Sequence, residues 1–291
     1  MLPVWHNFFA GRKGWRLALR RLKAWTSPRM WTYLGLESLR FALPDASRPG
    51  GAGRLLVVTS EPVRRVMLKT FPASASALRV LTPGVDNSSE ELPEIEAHIR
   101  RDQARRQMGV PLDAPCVLLV GNDFGKKGLP SLLKAFNSLP SNTVLLAVGS
   151  THRIPEYRKM ADDLGLGARA IFHGALKDIT IAYRAANVLA HPTLEDTFAM
   201  VVLEAMAHKL PVVVSDESHC GIASMLEDGV NAVILPYPKD PVAIANALNA
   251  ILGKRAYRHA LVEKAYALAC QHTWAAKAQA QEAMYFELLE R

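Results

Sequence analysis

Between Cys116 and Leu235 six short apolar runs recur: CVLLV at 116–120, VLLAV at 144–148, AIF at 170–172, VLA at 188–190, VVV at 212–214 and AVIL at 232–235. Each reads as a buried strand, and the stretches between them have helical composition. Helices are expected over Leu129–Leu139, Pro155–Leu164 and Asp178–Ala186, with a first one from Glu94, a short one near Ile222–Glu227 and two or three after Leu235. Strands alternating with helices build a parallel sheet covered on both faces, an α/β, Rossmann-like, doubly wound design. Upstream lie a strand at Leu55–Thr59, a helix at Glu61–Phe71 capped by Ser60, and a second strand at Leu78–Leu81. The polar, acidic stretch Asn87–Pro93 reads as a linker, which divides the chain into domains at 1–86 and 87–272 and leaves 273–291 as a helix returning to the first.

With 49% hydrophobic and 21% charged residues the chain is globular in composition. A formal charge of +8 is too diffuse to imply nucleic acid, yet seven basic residues precede the first acidic one, Glu37. Trp15, Leu19, Leu22 and Trp25 recur at helical spacing with Arg16, Arg20 and Lys23 on other faces, so residues 12–31 suit an anionic membrane surface or, alternatively, an ordinary helix packed on a core. No apolar run approaches the length of a membrane span and no signal-peptide core follows Met1, which places the expected protein in the cytoplasm, peripheral on the inner membrane face. Cys116, Cys220 and Cys270 show no metal or redox spacing and read as reduced thiols; Cys220-Gly221 reads as a tight turn rather than a nucleophile.

Ligands of doubly wound sheets bind at the carboxyl ends of strands, so the loops after strands carry the chemistry. The loop Gly121-Asn122-Asp123-Phe124-Gly125-Lys126-Lys127-Gly128 offers glycines for close backbone approach and two lysines for a diphosphate, the plainer alternative being a solvated Gly/Lys turn. It is out of register with a P-loop, since Gly128 stands where a hydroxyl is required. Phe172-His173-Gly174 ends another strand and reads first as a plain turn, with a flat base against its backbone groups as the functional alternative. In the stretch from His191 to Pro211, Glu204 is the one charge between Phe198 and Ala207, in a helix apolar all round that leaves it in need of a partner. Asp196 and Thr197 occupy the expected N-cap, with the amides of Thr197 to Met200 pointing outward. On one helix Asp196 and Glu204 stand about 12 Å apart and about 80° around, a span suited to an extended nucleotide sugar. The plainer alternative makes Asp196 a cap and Glu204 half of a buried ion pair.

The carboxylate pair Asp196 and Glu204, the Gly121–Gly128 loop, the Phe172-His173-Gly174 turn and the entry Leu210-Pro211-Val212-Val213 resemble the retaining GT-B glycosyltransferases of group 1 (family 4). Gly121–Gly128, His191-Pro192 and Cys220-Gly221-Ile222-Ala223 are most similar to the lipopolysaccharide core glucosyltransferases. The resemblance, over about residues 55–291, implies a complete C-terminal donor domain and a partial N-terminal acceptor domain, with roughly another hundred residues preceding Met1 in a complete enzyme. It implies transfer of a hexose from a UDP-sugar to a lipopolysaccharide or glycolipid acceptor with retention, without metal or other cofactor; a nucleotide-sugar-binding module without transfer is the alternative. By the same resemblance Lys126 and Lys127 neutralise the diphosphate, Asp196 touches donor-sugar hydroxyls and Glu204 holds the ribose. Gly121, Asn122, Gly125, His173, Glu195, Thr197, Phe198, Ala199 and Met200 complete the implied donor site. Asp196 stands where the family carries Glu, and Ala199 and Lys209 where it carries glycine.

Overall fold

The structure, a computed structural model, describes residues 55–86, 93–149 and 152–289. The basic, Trp-rich segment and residues 87–92 of the linker lie outside the described residues. The described chain groups into two compact units, 55–82 with 277–289, and Pro83–Ala276.

In the smaller unit strand β1 (Leu56–Val58) is followed by helix α1 (Glu61–Thr70) and strand β2 (Leu78–Val80), which pairs parallel to β1 with Leu56 opposite Leu78. Val63 and Met67 of α1 bury against Leu78.

The larger unit runs α2 (Glu94–Met108), β3 (Cys116–Gly121), α3 (Leu129–Ala135), β4 (Val144–Gly149), α4 (Ile154–Asp163), β5 (Ala170–His173), α5 (Thr180–Ala185), β6 (Val188–His191), α6 (Met200–Ala207), β7 (Val212–Ser215), β8 (Val233–Leu235), α7 (Pro241–Gly253) and α8 (Arg255–Gln271); a last helix, α9, spans Trp274–Leu289. Six strands form one parallel sheet in the order β5-β4-β3-β6-β7-β8. The chain steps outward from β3 to β5, returns to lay β6 beside β3, and steps outward the other way. Strand order therefore reverses between β3 and β6.

Alternate strand residues feed two cores. Cys116, Leu118 and Val120 join Leu146, Leu189, Val202, Leu203 and Met206 on one face, while Val117, Leu119, Leu145, Val188 and Val213 join Leu132, Leu133, Phe136 and Leu248 on the other. A strand with both faces covered has no polar side, which is why the runs are apolar without alternation. Each fully buried Leu or Val contributes about 1.5–3 kcal/mol relative to exposure.

Helix ends depart from the sequence expectation where local hydrogen bonds intervene. The helix from Leu129 tightens into a 3-10 turn at Phe136–Ser138, and the one expected near Ile222 is a 3-10 turn, Gly221–Met225. Asp178 accepts the Thr180 N–H at 2.9 Å ahead of α5, which holds Asp178 outside the helix. Arg105 of α2 is wholly buried and donates to the carbonyls of Pro111, Leu112, Ala114 and Ala185 and to Asn187 Oδ1. Asn187 Oδ1 also accepts the Cys116 N–H at 2.8 Å, so one guanidinium fixes the entrances of both β3 and β6.

Candidate functional site

The carboxyl ends of β3 and β6 are Gly121 and His191, so the two loops singled out by composition leave the sheet on either side of its switch point. Ligands of open α/β sheets bind at this position. The loops are stitched together: the Lys126 carbonyl accepts Leu194 N–H at 2.7 Å and Thr193 Oγ1 at 3.1 Å, and Ser215 Oγ donates to the Thr193 carbonyl at 2.7 Å. Between them opens a cleft of about 460 Å³ lined by Gly121, Asn122, Lys126, Lys127, Glu195, Asp196, Thr197, Ala199 and Met200, together with Val120, Asp123 and Val201.

The glycines serve the protein's own packing. A Cβ on Gly121 would meet Lys127 Cγ at 2.6 Å, so the bare Cα lets the lysine stem lie over the strand end. Gly128 has φ +79°, and a Cβ there would stand 1.9 Å from the Pro192 carbonyl oxygen. Gly125 faces Tyr157 and lies outside the cleft lining. At Gly121 and Gly128 the bare Cα admits a neighbouring side chain or loop.

Asp196 is not on the helix. Its N–H donates to the His219 carbonyl at 2.8 Å, its carbonyl accepts Gly221 N–H at 3.0 Å, and the Phe198 carbonyl accepts Ile222 N–H at 2.9 Å, which ties the segment to the loop after β7. Ala199, with φ 73°, breaks the run, and α6 begins only at Met200. The single-helix spacing of Asp196 and Glu204 therefore does not hold. The amides of Phe198 and Ala199 turn inward to Asp196 Oδ1, at 3.2 and 2.9 Å, rather than outward. Asp196 Oδ2 accepts from Lys127 Nζ and lies 3.2 Å from His191 Nε2.

Burial pushes the Asp196 carboxyl up, but the hydrogen bond from His191 and the charge of Lys127 outweigh it and hold the group well below the usual carboxylate range. Burial, aided by Lys127, lowers His191 and keeps it neutral. An ionised carboxylate only accepts, so His191 carries its proton on Nε2; Nδ1 is buried and has no hydrogen-bond partner among the described residues.

Glu204 is half-buried, because Met200, Val201, Glu204 and His208 form a partly exposed stripe; α6 is not buried all round. Its partner is Tyr183 of α5, whose hydroxyl donates to Glu204 Oε2 at 2.6 Å while its ring stacks on His208 with centroids 5.1 Å apart. Burial first, and Glu204 second, push the Tyr183 hydroxyl far up, so it remains a donor. Nothing in the local sequence marks Tyr183 as this partner; the signal is the unexplained carboxylate 21 residues later.

Glu204 lies outside the cleft lining, as do Phe198, buried in the core, and His173, which ends edge strand β5 with β4 between it and β3. Cys220 is buried and its thiol is pushed up by burial, which leaves it no nucleophilic character.

A doubly wound sheet with paired lysines and carboxylates at its switch point has the α/β architecture of the GT-B glycosyltransferases, and solved structures share it. The crystal structure of WaaG, a glycosyltransferase involved in lipopolysaccharide biosynthesis, matches with a TM-score of 0.75 at 24% identity, over 96% of this chain and 72% of that one. Anabaena Alr3699/HepE in complex with UDP-glucose matches with a TM-score of 0.71 at 22% identity, over 80% and 64%. The chain belongs to the family described as glycosyl transferases group 1, whose pattern matches residues 100–268. Among curated relatives it is similar to the D-inositol 3-phosphate glycosyltransferase of Xylanimonas cellulosilytica, 27% identical over 98% of this chain and 72% of that protein.

Proposed function

We propose that the chain transfers a hexose from a UDP-sugar to a lipopolysaccharide or glycolipid acceptor with retention of configuration. The observation that carries this reading is the pair Lys126 and Lys127 facing Glu195 and Asp196 across one cleft at the switch point. Breaking a glycosyl–phosphate bond leaves charge on the departing diphosphate, and fixed cations in a partly dry cleft stabilise that charge at the transition state. Lys127 spends one of its donors on Asp196, which aims the ammonium and leaves the others for phosphate oxygens. Lys126, more exposed, supplies a second charge. Glu204, held by Tyr183, is assigned the ribose hydroxyls. The UDP moiety is supported by the neighbour crystallised with UDP-glucose, and the acceptor class by the one involved in lipopolysaccharide biosynthesis. The relative named for inositol 3-phosphate adds a second acceptor to be tried.

The reaction is assigned no metal or other cofactor, and residues 12–31 are assigned to an anionic membrane surface through their arginines and tryptophans. Among the described residues no helix is long and apolar enough to cross a membrane. One experiment tests these assignments together. UDP-hexoses are incubated, with and without EDTA, with the protein and acceptor in anionic vesicles; inositol 3-phosphate serves as the soluble acceptor. Flotation of the protein, EDTA-insensitive transfer and a product with the donor's anomeric configuration are expected, with Lys127→Ala losing turnover while remaining folded. Undiminished turnover by folded Lys127→Ala would contradict the reading. UDP binding without transfer would leave a nucleotide-sugar-binding module.

A further inference from the structure

Val188, Leu189 and Ala190 of β6 are apolar, and the last residue of the strand, His191, is just as completely buried. An imidazole taken out of water is costly unless its nitrogens are bonded. At His191 one of them is: Nε2 donates to Asp196 Oδ2 at 3.2 Å, while Nδ1 has no partner among the described residues. The ring's one polar anchor is therefore that carboxylate. A carboxylate accepts at about four lone-pair positions. The amides of Phe198 and Ala199 fill Oδ1 of Asp196 and His191 fills one position on Oδ2, all three donors held in place by backbone or by burial. The position left over receives Lys127 Nζ, the one of these partners that sits on a long flexible stem.

We propose that His191 is a positioning residue: by occupying one side of Asp196 Oδ2 it confines the Lys127 ammonium to the other side, and so aims that ammonium at the diphosphate. The proposal rests on the donor-site reading above and adds to it a residue that lies outside the cleft lining. A neutral imidazole suits the task, because it supplies a donor without placing a second positive charge beside Lys127. With His191 gone, Oδ2 offers the ammonium two positions. A charge shared between two positions stabilises the diphosphate less than one held in place.

A double-mutant cycle tests this, read as calorimetric dissociation constants for UDP on the whole chain: unaltered, His191→Leu, Lys127→Ala and the two together. His191→Leu is expected to weaken UDP binding about tenfold when Lys127 is present, the scale of one charge-assisted contact, and less than about twofold when Lys127 is already replaced. His191→Gln, which keeps an N–H donor on a side chain of similar reach, is expected to recover most of the lost affinity. Melting without ligand checks that each variant is folded; where His191→Leu is not, His191→Phe takes its place in the cycle, since it also removes the donor. Equal weakening with and without Lys127 would show that His191 supports the fold alone, and unchanged UDP affinity in the folded variant would show that the ammonium needs no such guide. Either result overturns the assignment. Absence of UDP binding by the unaltered chain would instead overturn the donor-site reading, and this assignment with it.

Discussion

At Asp196 the two carboxylate oxygens receive an imidazole, an ammonium and two amides, and the group's acidity follows from that company. Its pKa in the fold lies below the unfolded value of about 3.9, so the stability it contributes is fully present above pH ~4 and is lost as pH falls from there through the folded value. Thermal unfolding measured from pH 6 to pH 2 is expected to show Asp196→Asn less stable than the unaltered protein at pH 6, with the two curves converging below pH ~4. A gap that stays constant to pH 2 would mean that this carboxylate is not held as the structure shows. The sequence showed Asp196 and Lys127 as residues of one site but not as partners, since they are 69 residues apart and meet only because β3 and β6 are neighbours. Glu204 showed its need for a partner without showing Tyr183.

Strands were legible in the sequence because burial on both faces writes itself as unbroken apolar runs, and five of the six expected in the larger sheet extend by one residue at the carboxyl end. The start of α6 was not legible. Asp196 and Thr197 look like a cap, but the loop after β7 competes for the backbone of Asp196 and Phe198, and Ala199 turns left-handed before the helix can begin. The glycines of the β3 loop were legible as special, while the packing of Lys127 over Gly121 and of Pro192 against Gly128 was not. Gly109 and Gly128 separate the two costs, since both have positive φ but a Cβ on Gly109 meets nothing within 4 Å. Chemical denaturation is expected to show Gly109→Ala costing about 1–2 kcal/mol, the left-handed penalty alone. Gly128→Ala should cost clearly more, since the Pro192 carbonyl must move as well, and should weaken UDP binding with it. Equal costs would show that the two loops do not pack as closely as described.

On the scale of the molecule, the order of elements carried the fold class and the position of the cleft, because a strand order that reverses leaves one crevice between β3 and β6 whatever the loops contain. The proposed nucleotide diphosphate suits this cleft of about 460 Å³ through its two lysines. The measurement that bears most directly on this account is a calorimetric titration of the intact chain with UDP, repeated with Lys127→Ala. The account predicts saturable one-to-one binding by the unaltered protein, and at least tenfold weaker binding by a variant whose melting without ligand shows it still folded, the scale of a lost charge-assisted contact. Equal affinity for UDP in both proteins would contradict it.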